Sequence, residues 1–290
     1  MIWGIMAIGV YITYRILEVS DLTVDGSIAT GGAVAAMLII NGYSFWTAML
    51  VAFLAGMVAG LVTGVFHTCM GIPAILSGIL TQLALYSLNL RIMGIGSNSK
   101  TLATIALNVN NHDLLLSSRY IRSIGLENPL ILLVLGVAVV IGALYWFFGT
   151  EMGCSLRATG ANTNMARAQG INTNFAKVLA LVVSNGLVAL SGALLAQYQG
   201  SATIDMGRGA IVIGLAAVII GEVLFSKCFV NFALKLLAAV IGAIIYYVVI
   251  TLVLRLGLES TDLKLLTALV VAVFLSVPYF AGKRAVRARK

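Results

Sequence analysis

A chain of 290 residues with 61% apolar side chains, 10% charged side chains and a mean hydropathy of +1.06 stands well apart from soluble domains, which carry roughly 45–50% apolar and about 25% charged residues. A soluble fold of this length cannot hide that excess from water, and disorder needs the opposite balance, low hydrophobicity with high charge. The net charge of +8 points to a membrane-protein end rather than to nucleic acid, because Lys283, Arg284, Arg287, Arg289 and Lys290 close the chain with no acid among them, the pattern of a cytoplasmic tail that meets anionic lipid headgroups.

A spanning helix needs about 20 mostly apolar residues. Long apolar runs lie at residues 2–17, 27–40, 45–66, 73–92, 130–148, 177–198, 210–225, 232–254 and 263–280. They predict an all-α polytopic bundle of about eight to ten spans, one transmembrane domain over 1–290, and not a β-barrel. The first run lacks a basic leader and a small-residue cleavage site, so it reads as a span and not as a signal peptide. The runs 27–40 and 210–225 are short for a span, which suits tilted, re-entrant or broken helices.

Between the first two runs, Glu18 to Ser27 is interrupted by Asp21, Thr23, Asp25 and Ser27. Asp25 or Ser27 is expected to cap the following helix through its side-chain oxygen. The stretch reads either as a capped turn at the cytoplasmic face or as a discontinuous helix whose free end faces a path near mid-membrane. In the third run Gly56, Gly60 and Gly64 recur every four residues, a spacing that lets two helix backbones approach closely in lipid. Their partner is either another helix of the same chain or a second copy. Ser77, Thr81 and Gln82 on the fourth run, and Ser184, Asn185 and Ser191 on the sixth, are candidate path linings or interhelical hydrogen-bond partners. Ser77 and Thr81 share a helix face.

Placing the basic tail inside fixes the order of sides. Residues 18–26, 67–72, 149–176 and 226–231 come out inside; residues 93–129, 199–209 and 255–262 come out outside. The long outer loop 93–129 carries Lys100, Arg119 and Arg122 against the rule. Cys69, Cys154 and Cys228 all fall near the inner face. An odd number with wide spacing gives neither a disulfide framework nor a metal pattern, so they read as free thiols.

No enzyme signature is present. The only Gly-Lys pair, Gly282-Lys283, has Val277 where a phosphate-binding loop needs glycine, so this chain carries no ATPase site of its own. There is no HExxH, no GxSxG and no Cys/His cluster, and His67 and His112 fall on opposite sides. No cofactor or metal is expected on the chain. Intramembrane charge is confined to Glu222, which reads as salt-bridged or snorkelling near the inner surface. That sparseness argues against an ion-coupled carrier.

The inner loop 150–176 holds the most specific pattern. Asn162 is a good cap for a short helix from Thr163 to Gln169, and Gly170 is a good stop. Met165, Ala166 and Ala168 are placed to meet a partner's groove, with Arg157 and Arg167 free to find acids or phosphates. A short helix of this kind can pass motion from a cytosolic partner into the spans. The pattern Met152-Gly-x-x-x-Arg157-Ala-x-Gly160-x-Asn162, continuing through Ala166 to Gly170-Ile-Asn172, with Leu190-Ser-Gly-Ala-Leu-Leu195, Gly71-Ile-Pro-Ala-Ile-Leu76 and Leu22-Thr-Val-Asp-Gly-Ser27, resembles ABC importer permeases of the branched-chain amino acid and ribose type. Within that family it is most similar to permeases paired with tryptophan- or tyrosine-type binding proteins. The likeness covers nearly the whole chain; the long, basic outer loop departs from it and reads as a docking surface or as one span miscounted.

The resemblance implies a bacterial inner-membrane permease, working as a homodimer or paired permease with the pathway between subunits. It implies cytoplasmic ATPase subunits that bind ATP and Mg, and an extracytoplasmic binding protein that delivers a small solute, expected to be an amino acid, with aromatic amino acids among the candidates. A sugar or nucleoside importer is the alternative, followed by a secondary carrier or a membrane-embedded assembly protein. By carry-over, Arg157, Asn162, Asn164, Met165, Ala166, Arg167 and Gly170 belong to the ATPase-coupling segment. Asp21, Thr23, Asp25, Ser27, Ser77, Thr81, Gln82 and Asn185 are the expected substrate path.

Overall fold

A computed structural model describes residues 1–95, 100–107, 129–225 and 231–255, with scattered positions beyond Arg255. Most of the expected ninth span at 263–280, the basic tail, Arg119, Arg122, His112, Lys227 and Cys228 lie outside the described residues. The rest is almost wholly helical. Helix α1 (Ile2–Tyr11) runs on as a π-helical turn, Ile12–Ile16. There follow α2 (Thr23–Ile40), α3 (Phe45–Thr68), α4 (Ala74–Gly94), α5 (Pro129–Gly149), α6 (Glu151–Ala161), α7 (Thr163–Ala168), α8 (Thr173–Gln199), α9 (Ala210–Phe225) and α10 (Phe232–Arg255). Strands β1 (Thr104–Ala106) and β2 (Ser201–Thr203) pair antiparallel, and a 3-10 turn, Ile204–Gly207, leads towards α9. The strand pair was not legible in the sequence: each strand is three residues long.

Seven described helical stretches are long and apolar enough to cross a membrane, and Ile2–Ile16 is a shorter apolar helix. The chain is thus a multi-pass membrane protein with an all-α bundle. The second run is longer than expected, because α2 starts at Thr23 and takes in the polar residues Thr23, Asp25 and Ser27.

Helix α8 is the axis of the fold, buried along most of its length. Helix α3 packs on it through the glycine repeat. A Cβ on Gly56 would strike Asn185 O, on Gly60 would lie 2.7 Å from the carbonyl carbon of Leu181, and on Gly64 would lie 3.0 Å from Val178 Cα. The glycines therefore serve a seam within one chain, antiparallel between α3 and α8. Ala48, Ala52 and Ala59 continue the small-residue face, which lets dispersion contacts form where no hydrophobic driving force separates helices from lipid. The N-terminal helix α1 sits against α8, α9 and α10: Ser184 Oγ donates to Gly9 O (2.8 Å) and Ser191 Oγ to Ile2 O (3.0 Å).

The helices divide the molecule into two ends. At one end are the π turn after α1, the α3–α4 connection, α6, α7 and the start of α8. At the other are the β1–β2 pair, the 3-10 turn and the start of α9.

Candidate functional site: a buried polar seam, a cleft and a projecting helix

The break between α1 and α2 enters the bundle. Asn185 stands near the middle of α8, and its Nδ2 donates to Asp21 Oδ2 at 2.7 Å and to Leu181 O at 3.1 Å. Asp21 Oδ1 accepts from the Thr23 amide at 2.9 Å, and Ser27 Oγ donates to Asn185 Oδ1 at 2.6 Å. A second branch joins α2 to α3 and α4: Thr23 Oγ1 lies 2.7 Å from Thr63 Oγ1, which donates to Thr81 Oγ1 at 2.9 Å. All of these side chains are buried. Of the two readings of this stretch, the geometry is that of a discontinuous helix, with the polar break held at mid-height of α8. Gly78 is the reason α4 can approach it: a Cβ there would sit 2.8 Å from the Leu22 amide nitrogen.

The expected capping role is corrected. Neither Asp25 nor Ser27 caps α2. The α2 start receives Asp21 through the Thr23 amide, Ser27 is spent on Asn185, and Asp25 caps a different helix. Asp25 Oδ2 accepts from Gly209 N (3.0 Å) and Oδ1 from Ile211 N (2.9 Å), at the start of α9. The free amides of a helix N-terminus favour an anionic acceptor wherever the fold brings one. The close packing that brings this one is at Gly207, where a Cβ would strike Asp25 O.

Among the expected path residues, Asp25 and Gln82 line an open cleft of about 170 Å³ with Gly26, Ala29, Leu83, Tyr86, Asn89, Ile204 and Arg208. Asp21, Thr23, Ser27, Ser77, Thr81 and Asn185 are enclosed between helices; Ser77 Oγ donates to Ala74 O of its own helix at 2.8 Å. Arg208 at the cleft is ion-paired with Asp205 at 2.9 Å. Tyr86, Asn89 and Arg208 were missed in the sequence. An asparagine in an otherwise apolar run was the available signal for Asn89.

At the end that carries the π turn, three caps set the shape of a projecting unit. Thr150 Oγ1 accepts from Gly153 N (3.4 Å) to start α6, Asn162 Oδ1 accepts from Asn164 N (3.1 Å) and Met165 N (3.0 Å) to start α7, and Asn172 Oδ1 accepts from Phe175 N (3.1 Å) to start α8. Gly170 ends the unit at φ +81°, a left-handed conformation that glycine adopts freely. Helix α6 is anchored where Gly160 meets the carbonyl of Ile16, too close for any Cβ.

On α7, Asn164, Met165 and Arg167 are exposed, Met165 at 62%, while Ala166 is 2% exposed and faces its own chain. The expectation that Ala166 meets a partner is corrected: it is the residue by which α7 packs down. Arg157 is also engaged within the chain. Its Nη2 donates to Phe148 O at 2.8 Å, and its guanidinium lies 5.8 Å from the Phe232 ring centroid. Arg167 Nε donates to Thr173 Oγ1 at 2.9 Å, with the side chain still exposed. Nearby, Glu222 is paired with Arg15 at 2.8 Å, which gives the lone carboxylate of α9 its partner. Cys69 and Cys154 are free and exposed. Among the described residues no group of three or more His, Cys, Asp or Glu is placed to hold a metal ion.

The sequence profile of the family described as branched-chain amino acid transport system / permease component matches residues 1–276. The chain is similar to the tyrosine transport system permease protein of Clostridioides difficile (strain R20291), with 40% identity over 95% of this chain and 88% of that protein. It is also similar to an uncharacterized protein of Rickettsia prowazekii (strain Madrid E), with 33% identity over 93% of this chain and 92% of that protein. Among solved structures, PsaBC from Streptococcus pneumoniae in complex with Fab superposes with a TM-score of 0.40 and 18% identity, over 84% of this chain and 86% of that chain.

Proposed function

The chain belongs to the family of branched-chain amino acid transport system permease components, and from that premise we propose that it is the membrane subunit of an ATP-driven importer for an amino acid, with an aromatic amino acid the first choice. It works as one transmembrane domain in a bacterial plasma membrane, with its C-terminus in the cytoplasm. A second copy completes the pathway. Cytoplasmic ATPase subunits that bind Mg and ATP drive it, and an extracytoplasmic binding protein loads it. The substrate class is supported by the tyrosine transport name of the Clostridioides relative.

The observation that carries the coupling reading is α7: a capped helix standing off the spans with Asn164, Met165, Arg167 and Ala168 exposed, Thr163 half-buried and Ala166 buried. Asn164, Met165 and Arg167 present its docking face, Asn162 and Gly170 set its ends, and Arg157 braces α6 against α5 and α10. A rigid helix so held transmits displacement into α8, from which the polar seam hangs. ATPase closure then rocks the bundle between two access states, a rigid-body switch that needs no catalytic residue in this chain. Asp25 and Gln82 lie on the path, while Asp21, Thr23, Ser27, Ser77, Thr81 and Asn185 hold the helix break that has to move.

The test is reconstitution of the chain with candidate ABC ATPase subunits and substrate-binding proteins from the same organism. Uptake of labelled L-tyrosine that requires ATP and the binding protein is the expected result. Uptake driven by an ion gradient alone would sink the reading, and uptake of ribose or a nucleoside in place of amino acids would overturn the substrate class.

A further inference from the structure

The cleft between α2, α4 and the 3-10 turn contains a polar group for which the fold has no use. Asn89 is 1% exposed, and neither its Nδ2 nor its Oδ1 has a hydrogen-bond partner among the described residues. Native proteins satisfy roughly 90% or more of their buried polar groups, because an unmet donor or acceptor forfeits its water without compensation. The two charged groups at the cleft are engaged: Asp25 on the α9 amides and Arg208 on Asp205. Asn89 thus holds an unspent donor and an unspent acceptor on one planar amide that lines the cleft.

That pair defines a ligand. A carboxamide offers N–H donors on one side and a carbonyl acceptor on the other, so it complements a group presenting an acceptor and a donor side by side. The carboxylate and ammonium of an α-amino acid are such a group. Beside Asn89 the walls turn apolar with Ala29, Leu83, Ile204 and the Tyr86 ring. The volume of about 170 Å³ is comparable to the roughly 150 Å³ engineered cavity that takes up benzene, so a ring-sized side chain fits.

We propose that this cleft is a transit binding site for an α-amino acid, with the Asn89 amide holding the zwitterionic head and the Tyr86 ring facing the side chain. This rests on the importer reading above and adds the residue that recognises the cargo inside the membrane.

Leu83 is exposed in the cleft wall and gives a reporter position. With Cys69, Cys154 and Cys228 replaced by serine and Leu83→Cys introduced, alkylation by N-ethylmaleimide is timed on the full chain in lipid nanodiscs, without ATP. Millimolar L-tyrosine is expected to slow the reaction about fivefold, the protection given by ligand at several times its Kd. Tyramine and 3-(4-hydroxyphenyl)propionate, each lacking one half of the zwitterion, are expected to slow it less than about twofold. Asn89→Leu and the smaller Asn89→Ala should both abolish protection while the melting temperature stays the same or rises. Protection that survives either substitution, equal protection by tyramine, or no protection of the unsubstituted Asn89 protein overturns the proposal. Protection without ATP-driven uptake would sink the importer reading alone, whereas uptake without Asn89-dependent protection would sink this one alone.

Discussion

Substitution of the α3 glycines by alanine gives a graded stability series that follows from distances across one seam. A Cβ on Gly60 would meet the Leu181 carbonyl oxygen and lie 2.7 Å from its carbon, backbone atoms that cannot rotate away. Restoring an ordinary contact of at least 3.4 Å to the carbon requires α3 and α8 to part by about 0.7 Å, and the closer oxygen requires more; a gap of roughly 0.5–1 Å already forfeits a quarter to a half of each dispersion well it opens. Overpacking of this kind costs about 1–3 kcal/mol, while removing a mid-helix glycine returns about 0.5–1 kcal/mol. Gly60→Ala should therefore lose about 1–2 kcal/mol net. Gly64→Ala meets Val178 at 3.0–3.1 Å, mostly side-chain methyls that give by a few tenths of an ångström, so the propensity gain nearly cancels its cost and the net change stays within about 0.5 kcal/mol. Thermal loss of helical circular dichroism in nanodiscs, at low protein density so that copies do not meet, reads the series. A Gly60→Ala protein as stable as the parent, or Gly64→Ala costing more than Gly60→Ala, would refute the seam.

Other outcomes follow from single residues. Asp25→Ala removes the acceptor for Gly209 N and Ile211 N and should cost about 1–3 kcal/mol, with Asp25→Asn intermediate; the same melting assay reads both, and an unchanged Asp25→Ala protein would remove the cap from the account. Asn185→Leu strands Asp21 and Ser27 in the interior and should cost about 2–5 kcal/mol, and restoring a polar partner by Asn185→Gln should recover part of it. Asn89→Leu removes two unmet groups and should stabilise by about 1–3 kcal/mol, so a clear destabilisation would mean that the amide is satisfied after all. Arg167→Glu should leave membrane insertion intact and reduce ATP-driven uptake about tenfold, the effect of about 1.4 kcal/mol lost from docking.

What was legible in the sequence is what depends on neighbours along the chain. Asn162 and Gly170 bound α7 as read, because a cap and a left-handed stop act within three residues. The apolar runs marked the spans for the same reason. Asp25 misled because its oxygens serve amides near residue 210, and only packing places them there. The glycine repeat announced close approach but not its partner, since spacing on one helix says nothing of what lies opposite. Asn89 stood out only as an asparagine in an apolar run, because its further distinction is a missing partner, which no single residue type encodes.

The proposed mechanism requires a cytoplasmic ATPase to grip α7. Photo-crosslinking tests it most directly, with a benzophenone side chain placed at Met165 on α7 or at Tyr43, exposed in the turn at the opposite end, in cells that hold the whole transporter. An adduct with the ATPase subunit is expected from position 165 and none from position 43. An ATPase adduct from 43, or an adduct with an extracytoplasmic protein from 165, would contradict it.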